Sequence, residues 1–381
     1  GIGGSVGKTA TKEMISAALE TRFKVLKTFG NMNSQIGVAL MMFELDHSYD
    51  LAVIEMGISE PDEMPSLVSI AKPKYAVLTN VGVSHIANLK TRENIRREKA
   101  RIVERFEQDS VLFVNGCNDM LEGIINVAKL IEQHGLNADN LTIYHNYVSL
   151  ANETYQAIAR SKVCSFGTEE FCEYNATDVR TIGEQTKFNY ISPDKTEEIT
   201  LNVMGIHNVH NAIVALAIAQ QFGIDPSVAK KGLYDYAPIK MRGQIFNVAD
   251  VKVIDDTYNA SPDSMKSGIN VLLSLSEVTR RIAVLADVLE LGEQSRECHL
   301  GVGEFLADQD VDVLITIGTE AKYIAEAVIK KNNTMRTYSF DSCDAANEFL
   351  SRFVCRGDGI LVKGSRGMHT EQVVEMLKSR G

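Results

Sequence analysis

Short apolar runs separated by stretches of helical spacing organise this chain. Val25-Leu26 ahead of Lys27-Thr28, Leu51-Ala52-Val53-Ile54, Tyr75-Ala76-Val77-Leu78 and Val111-Leu112-Phe113-Val114 each end at a polar or acidic residue. Runs this short, bounded by turn signals, are expected for strands buried on both faces of a parallel sheet. Ligands in such sheets sit beyond the carboxyl ends of the strands, so Glu55 and Asn80 fall where a site is expected. From about Leu121 to Ala159 the spacing predicts helices. From Ala176 to Val203 it changes to period two, which predicts a small antiparallel sheet. Helices over Asn211–Gln221 and Pro226–Tyr236 lead to a turn at Ala237-Pro238-Ile239-Lys240.

A second alternation of strand and helix begins at Val251–Asp255. It continues through Arg281–Leu285 and Val313–Gly318 and ends at Gly359–Gly364. It carries no glycine-rich dinucleotide fingerprint. Two α/β domains are therefore expected, at 1–240 and 241–381: the first with a mostly parallel sheet plus the small antiparallel one, the second Rossmann-like.

The chemistry starts at Gly1-Ile-Gly-Gly-Ser-Val-Gly-Lys-Thr9. Consecutive glycines let backbone N–H groups turn toward a polyphosphate. Lys8 can reach the β/γ oxygens, and the Thr9 hydroxyl can hold Mg²⁺. Gly4, Ser5, Val6, Gly7, Lys8 and Thr9 are thus the nucleotide-binding candidates of a P-loop-type domain. The strict form of this loop has Gly where Ile2 stands. The following residues, Ala10–Leu19, read as a helix whose N-terminus favours anions. A phosphate loop ordinarily follows a buried strand and none precedes Gly1, so further sequence is expected ahead of it.

Composition narrows the class. A net charge of −11 over 381 residues argues against nucleic acid or an anionic membrane as the main partner. No apolar run is long enough to span a bilayer. The six cysteines show no C-x-x-C spacing, which predicts buried, reduced thiols in a cytoplasmic protein.

Glu55 and His85, each following a strand, join Thr9 as a carboxylate, imidazole and hydroxyl set suited to Mg²⁺ beside phosphates. Lys99 lies in the charged stretch Glu93–Arg105, where composition alone places it on a solvated helix face. In Gly205-Ile-His-Asn-Val-His-Asn-Ala212, side-chain amides either hydrogen-bond a base or cap the helix. Asp255 and Asp256 close a strand, where they either face a ribose or metal or form an Asx turn. No Ser-His-Asp or Cys-His arrangement stands out. A switch or motor ATPase competes with an enzyme at this point.

Read in order, these motifs resemble the Mur ligase family of peptidoglycan synthesis. The resemblance rests most on Gly30-Asn-Met-Asn-Ser-Gln-Ile-Gly37, Asp256-Thr-Tyr-Asn-Ala-Ser-Pro-Asp-Ser-Met265, Asp287-Val-Leu-Glu-Leu-Gly292 and Leu361-Val-Lys-Gly-Ser-Arg-Gly367. It is strongest to the branch that adds D-alanyl-D-alanine to a UDP-N-acetylmuramoyl-tripeptide. It runs from Gly1 nearly to Gly381 and finds no counterpart here of the family's UDP-binding first domain.

The resemblance implies ATP-dependent amide formation through an acyl phosphate. Lys8, Lys99, His85 and Arg242 would be catalytic. Thr9, Glu55, His85 and Lys99 would hold two Mg²⁺ ions, with Lys99 carbamylated. Asn208 and His207 would contact the nucleotide, and Arg242 and Asp256 would reach it when the domains close. Asn31, Asn33, Asn259, Lys363, Ser365 and Arg366 are substrate candidates. The implied partners are a UDP-muramoyl peptide and a dipeptide, with the protein a monomer. A ligase of the same type acting on a different carboxylate and amine is the alternative.

Overall fold

The computed structural model describes residues 1–332 and 334–380. The chain divides into two compact units, Gly1–Tyr236 and Ala237–Gly381.

In the first unit the strands are β1 (Ile2–Gly3), β2 (Val25–Lys27), β3 (Leu51–Val53), β4 (Tyr75–Leu78), β5 (Val111–Asn115), β6 (Lys162–Gly167), β7 (Tyr174–Ile182), β8 (Gln185–Ile191) and β9 (Thr196–Leu201). Among the described residues the main sheet has the order β1-β4-β5-β6-β7-β8-β9, and β2-β3 pair separately. Pairing is parallel from β1 to β7 and antiparallel from β7 to β9. The period-two stretch is therefore antiparallel as its alternation implies, and it extends the parallel sheet through Phe166↔Tyr174 and Gly167↔Asn175.

The expectation that no strand leads into the phosphate loop is corrected. Ile2–Gly3 is that strand: it pairs with β4, and Ile2 also bridges Glu55 on its other side. The Ile2 N–H donates to the Ile54 carbonyl at 2.9 Å, and Met56 N–H donates back to the Ile2 carbonyl at 2.9 Å. Two residues suffice because both edges are paired. Ile2 is 1% exposed, so a buried strand position stands where the strict loop has glycine.

One apolar core lies between the sheet and helix Ile206–Gln221. Ile2, Val77, Phe113 and Phe166 from the strands meet Met14 and Ile15 of helix Lys8–Leu19 and the run Ala212–Ala219. That helix is apolar nearly all round, as burial on several sides requires.

In the second unit the strands are β10 (Gln244–Val248), β11 (Val251–Asp256), β12 (Arg280–Ala286), β13 (Val313–Ile317), β14 (Arg336–Phe340) and β15 (Asp358–Lys363). Their order is β10-β11-β15-β12-β13-β14, parallel apart from the antiparallel β10–β11 pair. The hairpin edge β10 and the outer strand β14 hold only partly exposed and exposed residues, which is why no apolar run marks them.

The six cysteines are free thiols. Cys164, Cys172 and Cys343 are buried, Cys117 and Cys298 partly exposed and Cys355 exposed, so burial holds for only some of them.

Candidate active site

The phosphate loop is shaped by the end of β4. Asn80 accepts from the loop with its side chain, taking the Ser5 N–H at 3.0 Å and the Val6 N–H at 2.7 Å. Its own carbonyl takes the Ser5 N–H as well, at 3.0 Å. Thr79 Oγ1 donates to the Val6 carbonyl at 2.6 Å, and the Gly82 N–H donates to Ser5 Oγ at 3.0 Å. Gly4 is obligatory here. At φ +153° a Cβ on it would lie 1.9 Å from Thr79 Oγ1. Ser5 and Val6 thus spend their amides on holding the loop. What the loop offers an anion is the start of helix Lys8–Leu19, where Gly7 gives no side-chain cap and the first turn holds no acid. First-turn amides have no intrahelical acceptor, and the helix dipole adds positive potential there.

Two ammonium groups converge on this loop. Lys8 Nζ donates to the Gly4 carbonyl at 2.9 Å and Lys99 Nζ donates to the same oxygen at 3.1 Å. Lys99 is 1% exposed, which corrects its placement on a solvated face. It follows Ile95 by one helical turn in helix Arg92–Ala100, and Ile95 is fully buried. Lys99 therefore occupies a position on the apolar side of that helix. Glu98 is tolerated beside it because its carboxylate accepts from the Met64 N–H at 3.0 Å and from Arg101 at 3.2 Å. Burial, reinforced by the charge of Lys8, holds the Lys99 amine well below the ordinary lysine value.

Glu55 follows β3 and is 2% exposed. Its backbone N–H donates to Thr28 Oγ1 at 2.9 Å, and its Oε1 accepts from Asn33 Nδ2 at 2.8 Å. Oε2 is buried and has no hydrogen-bond partner. A buried carboxylate oxygen left over in this way is costly unless a cation completes it. Among the described residues no three His, Cys, Asp or Glu side chains gather as a metal cage. One carboxylate oxygen, the buried Thr9 hydroxyl and a substrate's phosphates fit Mg²⁺, which keeps few protein ligands. His85 stands at φ +62° as the cap of the short helix Ile86–Leu89.

Helix Ile206–Gln221 meets helix Lys8–Leu19 through Asn211, whose Oδ1 accepts from Thr11 Oγ1 at 2.8 Å. Asn208 Nδ2 donates to the Met204 carbonyl at 2.7 Å, so this amide ties down the helix entry. His207 is partly exposed beside it. Asn31 and Asn33 lie in the turn before helix Gln35–Phe43, with only Asn33 tied to Glu55.

In the second unit the two acids at the end of β11 separate in role. Asp255 is buried and accepts from Thr257 Oγ1 at 2.6 Å and its N–H at 3.3 Å, an Asx turn. Asp256 lies in register with Lys363 across β11–β15 and pairs with it at 2.5 Å. Lys363 also donates to the Asn259 carbonyl at 3.0 Å. Ser365 is buried, with its Oγ accepting the Leu289 N–H at 2.9 Å. Arg242 stacks on Tyr258, 3.8 Å from the ring centroid. Arg366 faces Glu371 at 3.4 Å.

Models of two families match the chain: the Mur ligase middle domain over residues 2–146 and 121–219, and the Mur ligase, glutamate ligase domain over residues 241–366. The UDP-N-acetylmuramoyl-tripeptide–D-alanyl-D-alanine ligase of Bacillus subtilis is 32% identical over 378 residues, covering 99% of this chain and 75% of the relative. The chain belongs to the Mur ligase family. The ligase of the same name from Escherichia coli is 27% identical over 382 residues, covering 99% of this chain and 76% of the relative. Among solved Mur ligases, MurF from Acinetobacter baumannii superposes with a TM-score of 0.83 at 27% identity, over 99% of this chain and 76% of that one. MurF from Thermotoga maritima, solved in complex with ADP, gives 0.80 at 25% identity, over 100% and 80% respectively.

In this Mur ligase the structure brings Lys8, Lys99 and the loop carbonyl together and leaves one oxygen of Glu55 open. It adds Asn80, Thr79 and Thr28, whose roles as loop and strand clamps sequence reasoning did not assign. Their signal is the polar pair closing an otherwise apolar strand. For Lys99 the signal was its place one turn after Ile95 and one turn before Ile102, where an apolar residue belongs.

Proposed function

We propose that this protein is an ATP-dependent amide ligase of peptidoglycan synthesis, adding D-alanyl-D-alanine to a UDP-N-acetylmuramoyl-tripeptide through an acyl phosphate. The observation that carries the ligase reading is the convergence of Lys8 and Lys99 on the Gly4 carbonyl, beside a helix start left open to an anion. The substrate pair is supported by the names of the relatives, each matched over nearly the whole of this chain.

In this reading the first-turn amides of helix Lys8–Leu19 and the Lys8 ammonium bind the β- and γ-phosphates. They stabilise charge that grows on the phosphoryl oxygens as the substrate carboxylate attacks. Glu55 and Thr9 would hold a Mg²⁺ ion and His85 a second, and magnesium would supply neutralisation of the phosphates' negative charge. Burial and the charge of Lys8 make the Lys99 amine shed its proton more readily than an exposed lysine, and the deprotonated amine is the form that adds carbon dioxide. A carbamate there would exchange a cation for oxygen donors. Asn208, His207, Arg242 and Asp256 are assigned to the nucleotide, and Asn31, Asn33, Asn259, Lys363, Ser365 and Arg366 to the substrates. In this reading the protein works in the cytoplasm.

The test is ATP-dependent phosphate release with the tripeptide substrate and D-alanyl-D-alanine supplied singly and together. Release that requires both is expected. Release with neither would make the protein an ATPase of another kind. ADP binding without release from the pair would turn the assignment to a different carboxylate and amine.

A further inference from the structure

Beyond the ligase reaction, one side-chain cluster has no part in the reading above. Cys117, just after β5, accepts a hydrogen bond on Sγ from the Thr168 N–H at 3.1 Å and lies 3.5 Å from Thr168 Oγ1. That hydroxyl is in turn 3.3 Å from His210 Nε2. Cys172 is 4% exposed and stands on the same spot. A Cβ on Gly167 would meet Cys117 Sγ at 2.5 Å and Cys172 Sγ at 3.4 Å, so both sulfurs crowd one backbone position. A Cβ on Gly116 would likewise meet Cys172 Sγ at 2.6 Å. Bare backbone at both glycines makes room for the two thiols.

We propose that Cys117 and Cys172 form a peroxide-sensitive thiol pair that closes to a disulfide and loosens the clamp on the phosphate loop. Cys117 is the attacking sulfur, being partly exposed and held by an N–H donor, which favours thiolate. The neighbouring Cys172 thiol, then His210, hold the Cys117 thiol far below the ordinary cysteine range, while Cys172 is pushed up by that neighbour and by burial. The Cys117 thiolate attacks one peroxide oxygen, the O–O bond breaks, and sulfenic acid and hydroxide form. The Cys172 sulfur then displaces the sulfenic oxygen, which leaves as water with the Cys172 proton. Overall two thiols and one hydrogen peroxide give one disulfide and two waters. The coupling runs through the side-chain amide of Asn115. The Cys117 N–H donates to Asn115 Oδ1 at 2.9 Å, and Asn115 Nδ2 donates to the carbonyl of Thr79, the residue that holds Val6.

The other cysteines serve as internal controls. Burial pushes Cys164 up to about 12 and raises Cys298 and Cys343 as well. Cys355 is the exposed comparison.

The purified protein is treated with substoichiometric hydrogen peroxide, and its peptides are mapped by non-reducing mass spectrometry. The expected product is the Cys117–Cys172 disulfide, formed ahead of any oxidation at Cys355. Cys172→Ser should leave a sulfenic acid at Cys117 that dimedone traps, and Cys117→Ser should leave Cys172 unoxidised. Hydrogen exchange at the Ser5 and Val6 amides should speed up in the oxidised protein and return with reductant. Cys355 oxidising first, a disulfide with any other partner, or unchanged exchange at Ser5 and Val6 would each overturn the proposal. None of these readouts depends on ligase activity.

Discussion

Asn80→Ala isolates the clamp that gives the phosphate loop its shape. The variant removes an acceptor from the Ser5 and Val6 amides, at 3.0 and 2.7 Å. Ser5 keeps the residue-80 carbonyl, at 3.0 Å in the parent, so one bond is lost outright and one is weakened. A net hydrogen bond is worth about 0.5–1.5 kcal/mol, and water can partly replace these at a half-buried loop, so about 1–2 kcal/mol of loop order is removed. Binding must restore that order, so the ADP dissociation constant should rise about 5- to 30-fold. Isothermal titration calorimetry with ADP and Mg²⁺ measures this, with urea unfolding run alongside. Asn80→Asp separates acceptor from charge. It keeps the carbonyl-like acceptor, so stability should stay within about 0.5 kcal/mol of the parent. It places a negative charge beside the loop, so ADP affinity should fall by a margin that shrinks as salt is raised. ADP binding by Asn80→Ala within about twofold of the parent would refute the clamp as the determinant of the site.

Three further perturbations test other links. Gly4→Ala should cost about 2–4 kcal/mol in urea unfolding, from backbone strain and loss of the Thr79–Val6 bond. Adding Thr79→Ala should relieve part of that cost, and strict additivity would remove the steric explanation. Because Lys99 titrates well below its ordinary 10.5 when folded, the unfolded chain binds more protons between those two values. Stability must then rise with pH across that window, with the deficit complete below the folded value. Lys99→Met should abolish this rise, so a parent–variant stability difference that is flat with pH would count against a depressed lysine. Asp358 is 1% exposed and accepts from Arg280 at 2.9 and 2.7 Å and from the Cys355 N–H at 2.8 Å. Asp358→Ala should destabilise the second unit by about 2–4 kcal/mol. A loss under about 0.5 kcal/mol would show that stacking on Phe353 suffices to hold Arg280.

Sequence by itself determined the alternation of buried strands and helices, because doubly covered strands must be apolar throughout and the spacing between runs leaves room only for crossovers. It determined the phosphate loop through Gly4, Gly7, Lys8 and Thr9, and placed Glu55 and Asn80 at strand ends. The order of these motifs carried the family. Sequence could not decide what packing decides. That Ile2–Gly3 is a strand depends on partners some 50 and 75 positions along the chain. That Lys99 is buried depends on the Gly4 carbonyl being there to receive it; charge alone reads as solvent exposure. Asp255 and Asp256 are chemically alike and adjacent, and only the pleat and the register with Lys363 send one into a turn and the other into an ion pair. Cys117 follows β5 and Cys172 lies in the turn between β6 and β7, and parallel pairing of β5 with β6 brings both sulfurs against Gly167. Local periodicity is written in neighbouring residues, whereas the protonation, pairing and proximity that make a site come from groups that meet only when the sheet has formed.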